Sequence, residues 1–329
     1  MITTQRPPFA IDEPNDERPP ARPAPDVGRR EVLRKGGALA VSVGLGAHLP
    51  TFAGEDRSIP PAPIPSPSAA ELGWQVSVQG WTYRRFPLFK ALENAAEVGL
   101  RCIEIRTNLS LDEKRPGMKA DENMPADARK ELKTRLTENG LSVPTVFTDF
   151  DGKQDQAKRV FGFWKDFGTN VLTAEPPMSR ACIDMLEKLC EEYRMRLALH
   201  NHQRERSQYW SPEIVLEACK DRGPYVGATC DGGQWARSGL DPVECLRKLK
   251  GRIFNFHMKD ILTRGELFCR NTVIGEGQGA CAASLRELHL LKYKGTITID
   301  FEHDTPALQK DMARNIAFIE EHAKRFLDQ

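Results

Sequence analysis

No Cys-x-x-Cys pair occurs in these 329 residues, no uninterrupted apolar run reaches the roughly twenty residues of a membrane-spanning helix, and no long block carries charge of one sign. The first absence removes the commonest zinc-ribbon and thiol-redox spacings, so the eight cysteines, scattered through predicted elements, read as mostly reduced core thiols. The second leaves no stable membrane association to expect of the mature chain. The third leaves no footprint for a phosphate backbone: Lys and Arg number 47 against 46 Asp and Glu, so a small molecule is a better partner than nucleic acid.

What is present divides at about residue 70. Residues 1–27 are rich in Pro, Asp, Glu and Arg with almost no apolar periodicity, a composition expected to be disordered. Gly28-Arg29-Arg30-Glu31-Val32-Leu33-Arg34-Lys35 then leads into the charge-free, Gly- and Ala-rich run from Gly36 to Leu49, an order that resembles a twin-arginine export signal. Thr51 and Ala53 supply small residues for cleavage after Ala53. Residues 1–53 are therefore read as a disordered leader with its signal, 54–70 as an extended Pro-rich linker, and 71–329 as one folded domain. The chain is expected to be exported to the periplasm, already folded.

From Trp74 onward, short β-branched or aromatic runs alternate with longer runs of helical periodicity, the pattern of parallel βα units. Strands are predicted at 74–80, 102–106, 143–148, 171–175, 197–202, 226–231, 253–258 and 296–302, with helices starting near Pro87, Pro125, Gln154, Ser179, Ser211, Asp241, Ala282 and Pro306. Gly99 and Gly140 stand where helix ends need a left-handed residue. Eight such units imply an α/β fold, a (β/α)8 TIM barrel; an open doubly wound sheet would need neither this count nor this spacing.

In a barrel the functional groups gather at the carboxyl ends of the strands. Here those ends carry Gln79, Glu104 with Arg106, Thr148 with Asp149, Glu175, His200 with His202, Asp231, His257 with Lys259, and Glu302. Alone, each has a structural explanation as a helix cap or a hydrogen-bonded core residue. Several carboxylates and imidazoles at one mouth are costly through desolvation and repulsion, and a divalent cation is the usual compensation. His200 and His202 share strand parity, so both point to one side. Two imidazoles with carboxylates suit manganese, zinc, cobalt or iron(II) better than calcium.

The stretches His200-Asn201-His202, Asp231 through Trp235 with Ser238-Gly239-Leu240-Asp241-Pro242, His257-Met258-Lys259-Asp260, Gly275-Glu276-Gly277 and the Glu302 strand together resemble the xylose isomerase-like superfamily of sugar isomerases and epimerases, over roughly residues 74–325. The resemblance implies one divalent metal ion held by His200, Asp231, His257 and Glu302. It also implies proton abstraction beside a sugar carbonyl through an enediolate, with Glu302 as the base and Glu175, His202 and Lys259 as partner acids or hydroxyl-orienting groups. Gln79, Gln234, Trp235 and Arg270 are the expected sugar-contacting residues. Relatives commonly read Asp-Thr-Gly-His-Trp where this chain has Asp231-Gly232-Gly233-Gln234-Trp235, which puts a residue unable to shuttle protons at a usual imidazole position. A 3-keto-glycoside lyase on the same site and an exported sugar-binding protein with impaired catalysis are the alternatives. A DNA-repair endonuclease of the same fold would need more metal ligands and a basic groove. The outer helices of such a barrel leave room for a homo-oligomer.

Overall fold

A computed structural model describes residues 68–329 of the chain. Eight parallel strands close into a barrel, β1 (Trp74–Gln79), β2 (Ile103–Arg106), β3 (Thr145–Phe147), β4 (Val171–Ala174), β5 (Arg196–His200), β6 (Val226–Asp231), β7 (Ile253–Met258) and β10 (Gly295–Ile299). The ring runs β1-β10-β7-β6-β5-β4-β3-β2, so the last strand lies beside the first. All eight predicted strands are present. Their helices α2 (Leu88–Glu97), α3 (Ala126–Glu138), α4 (Gln154–Asp166), α5 (Arg180–Tyr193), α6 (Pro212–Cys219), α8 (Pro242–Lys248), α9 (Cys281–Leu290) and α10 (Leu308–Leu327) start within two residues of the predicted positions.

Local chemistry accounts for those boundaries. The Ser179 hydroxyl accepts from the Cys182 N–H at the start of α5, and Asp241 accepts from Val243 N–H at 2.8 Å at the start of α8. Pro212 and Pro242 occupy first-turn positions where no N–H is missed. Gly99 and Gly140, at φ 87° and 62°, turn the chain out of α2 and α3. In β6, a Cβ on Gly227 would lie 2.3 Å from the Arg252 carbonyl oxygen, and this close approach adjoins the register shift between β6 and β7 at Ala228/Thr229.

Four small elements carry no strong periodicity and were not foreseen. The described chain begins with α1 (Ser68–Glu71), ahead of the boundary predicted at Glu71, and the Ala69 N–H donates to Glu320 of α10 at 3.0 Å. A 3-10 turn follows β1 (Gly80–Tyr83), and α7 (Gly232–Arg237) starts on β6 with Asp231 as its cap. A ribbon of β8 (Asp260–Ile261) and β9 (Asn271–Thr272) stands on β7. No described helix is long and apolar enough to cross a membrane. The leader and the twin-arginine motif lie outside the described residues.

The main apolar core fills the shell between strands and helices. Much of the lining inside the ring is polar instead: Glu104 Oε2 accepts from Asn255 Nδ2 at 2.8 Å and from the Thr173 hydroxyl at 3.3 Å, and Thr298 donates to Asn255 Oδ1 at 3.0 Å. This buried network fixes Glu104 beneath the mouth.

Candidate metal and active site

Strands β5, β6 and β7 stand side by side, and their carboxyl ends bring His200, Asp231 and His257 together, each fully buried, with ligand atoms within 4.8 Å of one another. The His-Asn-His run has a division of labour. Asn201 ties β5 to β6 by donating to the Asp231 carbonyl at 3.0 Å and accepting the Asp231 N–H at 2.9 Å. Asp231 Oδ1 accepts from the Gln234 N–H at 2.9 Å, which leaves Oδ2 to face the imidazoles.

Each imidazole has a carboxylate against one nitrogen, hydrogen-bonded at His200 and in close contact without hydrogen-bond geometry at His257. His200 Nδ1 meets Glu175 Oε1 at 3.0 Å, and His257 Nε2 meets Glu104 Oε1 at 2.8 Å. His200 Nε2, His257 Nδ1, Asp231 Oδ2 and Asp300 Oδ1 are buried with no hydrogen-bond partner. Leaving such atoms unsatisfied costs about 1–3 kcal/mol each, more for charged ones, and a divalent cation is the ligand that satisfies imidazole and carboxylate lone pairs together. Carboxylate-oriented imidazoles are the usual outer shell of such a centre. The residues present therefore fit a metal ion.

Burial, with the like charge of His202 and His257 nearby, lowers the His200 pKa to about 4 despite Glu175, so its ring is neutral and keeps a lone pair at neutral pH. Burial pulls His257 the same way, but Glu104, Asp300 and Asp231 outweigh it and raise it. Burial likewise disfavours charge on Lys259, which nevertheless stays above its ordinary range because Asp231, Asp300 and Glu302 surround it. Its Nζ lies 3.0 Å from Asp300 Oδ2, 3.5 Å from Asp231 Oδ2 and against Glu302 Oε1.

The other expected residues fall in three places. Glu175 and His202 meet at this mouth, Glu175 joining both His200 and His202 while Ser207 donates to its second oxygen. Glu302 lies outside both groups of potential ligands, His200 with Asp231 and His257 and Glu175 with His200 and His202, and pairs with Lys259. Its carboxylate reaches the site through Lys259, whose Nζ also lies 3.5 Å from Asp231 Oδ2, and not by facing an imidazole. Asp300 is buried with Oδ2 3.8 Å from His257 Nδ1. The third set is engaged elsewhere or exposed. Trp235 is 1% exposed and packs into the main core, because α7 folds back from Asp231 and turns the indole inward. Arg270 is exposed on the ribbon and makes no ion pair among the described residues. Gln79 caps the turn after β1, and Gln234 is buried with Oε1 taken by Arg237 at 3.2 Å.

Glu104 and Asp300 were not assigned a role from sequence. Strand parity was the available signal: Asp300 shares an inward face with Thr298 and Glu302, and Glu104 lies on β2, across the ring from β6.

A family model described as xylose isomerase-like TIM barrel matches residues 92–322. Similar solved structures include an uncharacterised protein from Parabacteroides distasonis, 25% identical at TM-score 0.60, covering 76% of this chain and 99% of that one. A D-tagatose 3-epimerase-like protein is 17% identical at TM-score 0.61, covering 77% and 98%. The IOLI protein, solved with a zinc atom, is 18% identical at TM-score 0.56, covering 77% and 96%. A search among curated proteins finds no match.

Proposed function

Since this chain belongs to the xylose isomerase-like TIM-barrel family, we propose that it is a divalent-metal-dependent isomerase or epimerase of a sugar or keto-sugar, working by proton transfer beside a carbonyl. The observation that carries this reading is the convergence of buried, unpartnered ligand atoms of His200, Asp231 and His257 at the mouth. The D-tagatose 3-epimerase-like neighbour and the zinc in the IOLI structure agree with it.

His200, Asp231 and His257 would hold the ion, with Asp300 as the fourth ligand in place of Glu302. Bound there, manganese, zinc, cobalt or iron(II) would polarise a carbonyl oxygen and acidify the neighbouring carbon-bound proton. Glu302 takes that proton, with Lys259 orienting it through Oε1. His202, half-buried and tied to Glu175 through Nδ1, presents its other nitrogen to return a proton or bind a hydroxyl. Elimination from a 3-keto-glycoside would begin with the same proton removal, and product analysis separates the two. Gln234 favours one further reading, a sugar-binding protein, because its side chain is committed to Arg237 and cannot relay protons.

Metal analysis of the purified protein tests the proposal. About one divalent ion per chain is expected in the wild type, lost in Asp231→Ala, His257→Ala and Asp300→Asn. Glu302→Gln should keep the ion and lose roughly a hundred- to ten-thousand-fold in solvent-deuterium exchange beside the sugar carbonyl. A metal-free wild type would move the binding-protein reading to first place. We also propose export by the twin-arginine route; Arg29→Lys with Arg30→Lys should leave the chain in the cytoplasm, measured by fractionating a bacterial host.

A further inference from the structure

We propose that Arg106 binds an anionic oxygen group of the substrate, carboxylate or phosphate, so that the preferred sugar is an acidic one; this rests on the sugar-site reading above. Arg106 shares inward parity with Glu104, whose carboxylate lies in the polar interior, and it stands one step nearer the mouth. Its guanidinium carbon lies 4.0 Å over the Phe147 ring, and that ring is 4.9 Å from the His200 imidazole. A single aromatic ring thus separates the guanidinium from a proposed metal ligand.

Nη1 of Arg106 is buried without a partner, and no carboxylate or carbonyl accepts from any guanidinium nitrogen of this residue among the described residues. The other cations of the mouth have acceptors, although Arg237 Nε is also buried without one. Lys259 has Asp300 at 3.0 Å, and Arg237 donates to the Cys269 carbonyl at 2.8 Å and to Asn271 Oδ1 at 3.0 Å. A partly buried guanidinium with no counter-charge is unfavourable, and stacking on Phe147 offsets only part of that. The contact with Phe147 places the guanidinium and leaves N–H donors for an incoming group, a fork that matches the paired oxygens of carboxylate or phosphate. β2 stands four strands from β6 in the ring of eight, directly across the mouth from Asp231. A sugar with its carbonyl at the metal ligands would therefore direct its far end to Arg106. Asn108 Oδ1, just beyond β2, is also buried and unpartnered, and it suits a sugar hydroxyl.

Calorimetric binding of D-fructose, D-fructose 6-phosphate and 5-keto-D-gluconate to the metal-loaded full chain tests this. One acidic probe should bind about ten- to a hundredfold more tightly than D-fructose, and which one does so identifies the group. Arg106→Gln should erase that preference with metal content unchanged, and should hold or raise the thermal midpoint, because an unpaired charge is removed. Arg106→Lys should restore part of it. Equal binding of all three probes, a preference that survives Arg106→Gln, or a marked fall in the midpoint would overturn the proposal, the last by making Arg106 a structural residue. A wild type without metal would instead bring down the reading of the preceding subsection, and the charge preference is read on the same samples.

Discussion

Glu175 and Glu104 each lie against an imidazole of the proposed ligand set, His200 and His257 in turn, and so bias which nitrogen that ring turns toward the centre of the mouth. Removing such an outer carboxylate typically costs ten- to a hundredfold in metal affinity. Glu104→Gln and Glu175→Gln should therefore weaken the ion by about that factor without abolishing it, as measured by competition with a chelator of known affinity. The ligand triad was legible in the sequence because each member closes a strand of clear β character. Asp300 was hidden because Asp300-Phe301-Glu302 offers two carboxylates of the same parity, and only the contact of Asp300 Oδ2 with His257 Nδ1 at 3.8 Å says which one comes nearer the site.

At the scale of elements, the long amphipathic pieces could be read and the short ones could not. α7 and the β8–β9 ribbon are held by contacts that leave no periodic trace. The Asp260 carboxylate accepts the N–H groups of Ile261, Gly275, Gly277 and Gly279 at 2.7–3.0 Å, which explains the Lys259-Asp260 and Gly275-Glu276-Gly277 stretches as one structural device. Asp260→Ala would leave those donors unsatisfied, and the denaturant midpoint should fall by an amount equivalent to about 3–5 kcal/mol. Gly233 is a second such point: a Cβ there would sit 2.6 Å from Lys259 Cγ. Gly233→Ala should cost about 1–3 kcal/mol by displacing Lys259, and should also lower any exchange activity that depends on the Lys259–Glu302 pair. The missing histidine at Gln234 is visible in the sequence, whereas the burial of Trp235 is not, since only the turn of α7 back from Asp231 decides where the indole goes.

For the whole molecule, the eight cysteines are all free and buried, and burial pushes the thiols of Cys190 and Cys245 up to about 12 and that of Cys219 up to about 11. A thiol reagent at pH 8 should label fewer than one cysteine in the native protein and all eight in denaturant. The order of the ring has a consequence for synthesis. β1, made first, finds its second neighbour only in β10, and so does β7. Until the ribosome has passed Ile299 the nascent chain carries two bare strand edges, a ready template for pairing with other chains. Every stop codon upstream of β10 should yield an aggregating fragment rather than a smaller barrel, and the window between the last strand leaving the ribosome and ring closure is where a chaperone matters most to this protein.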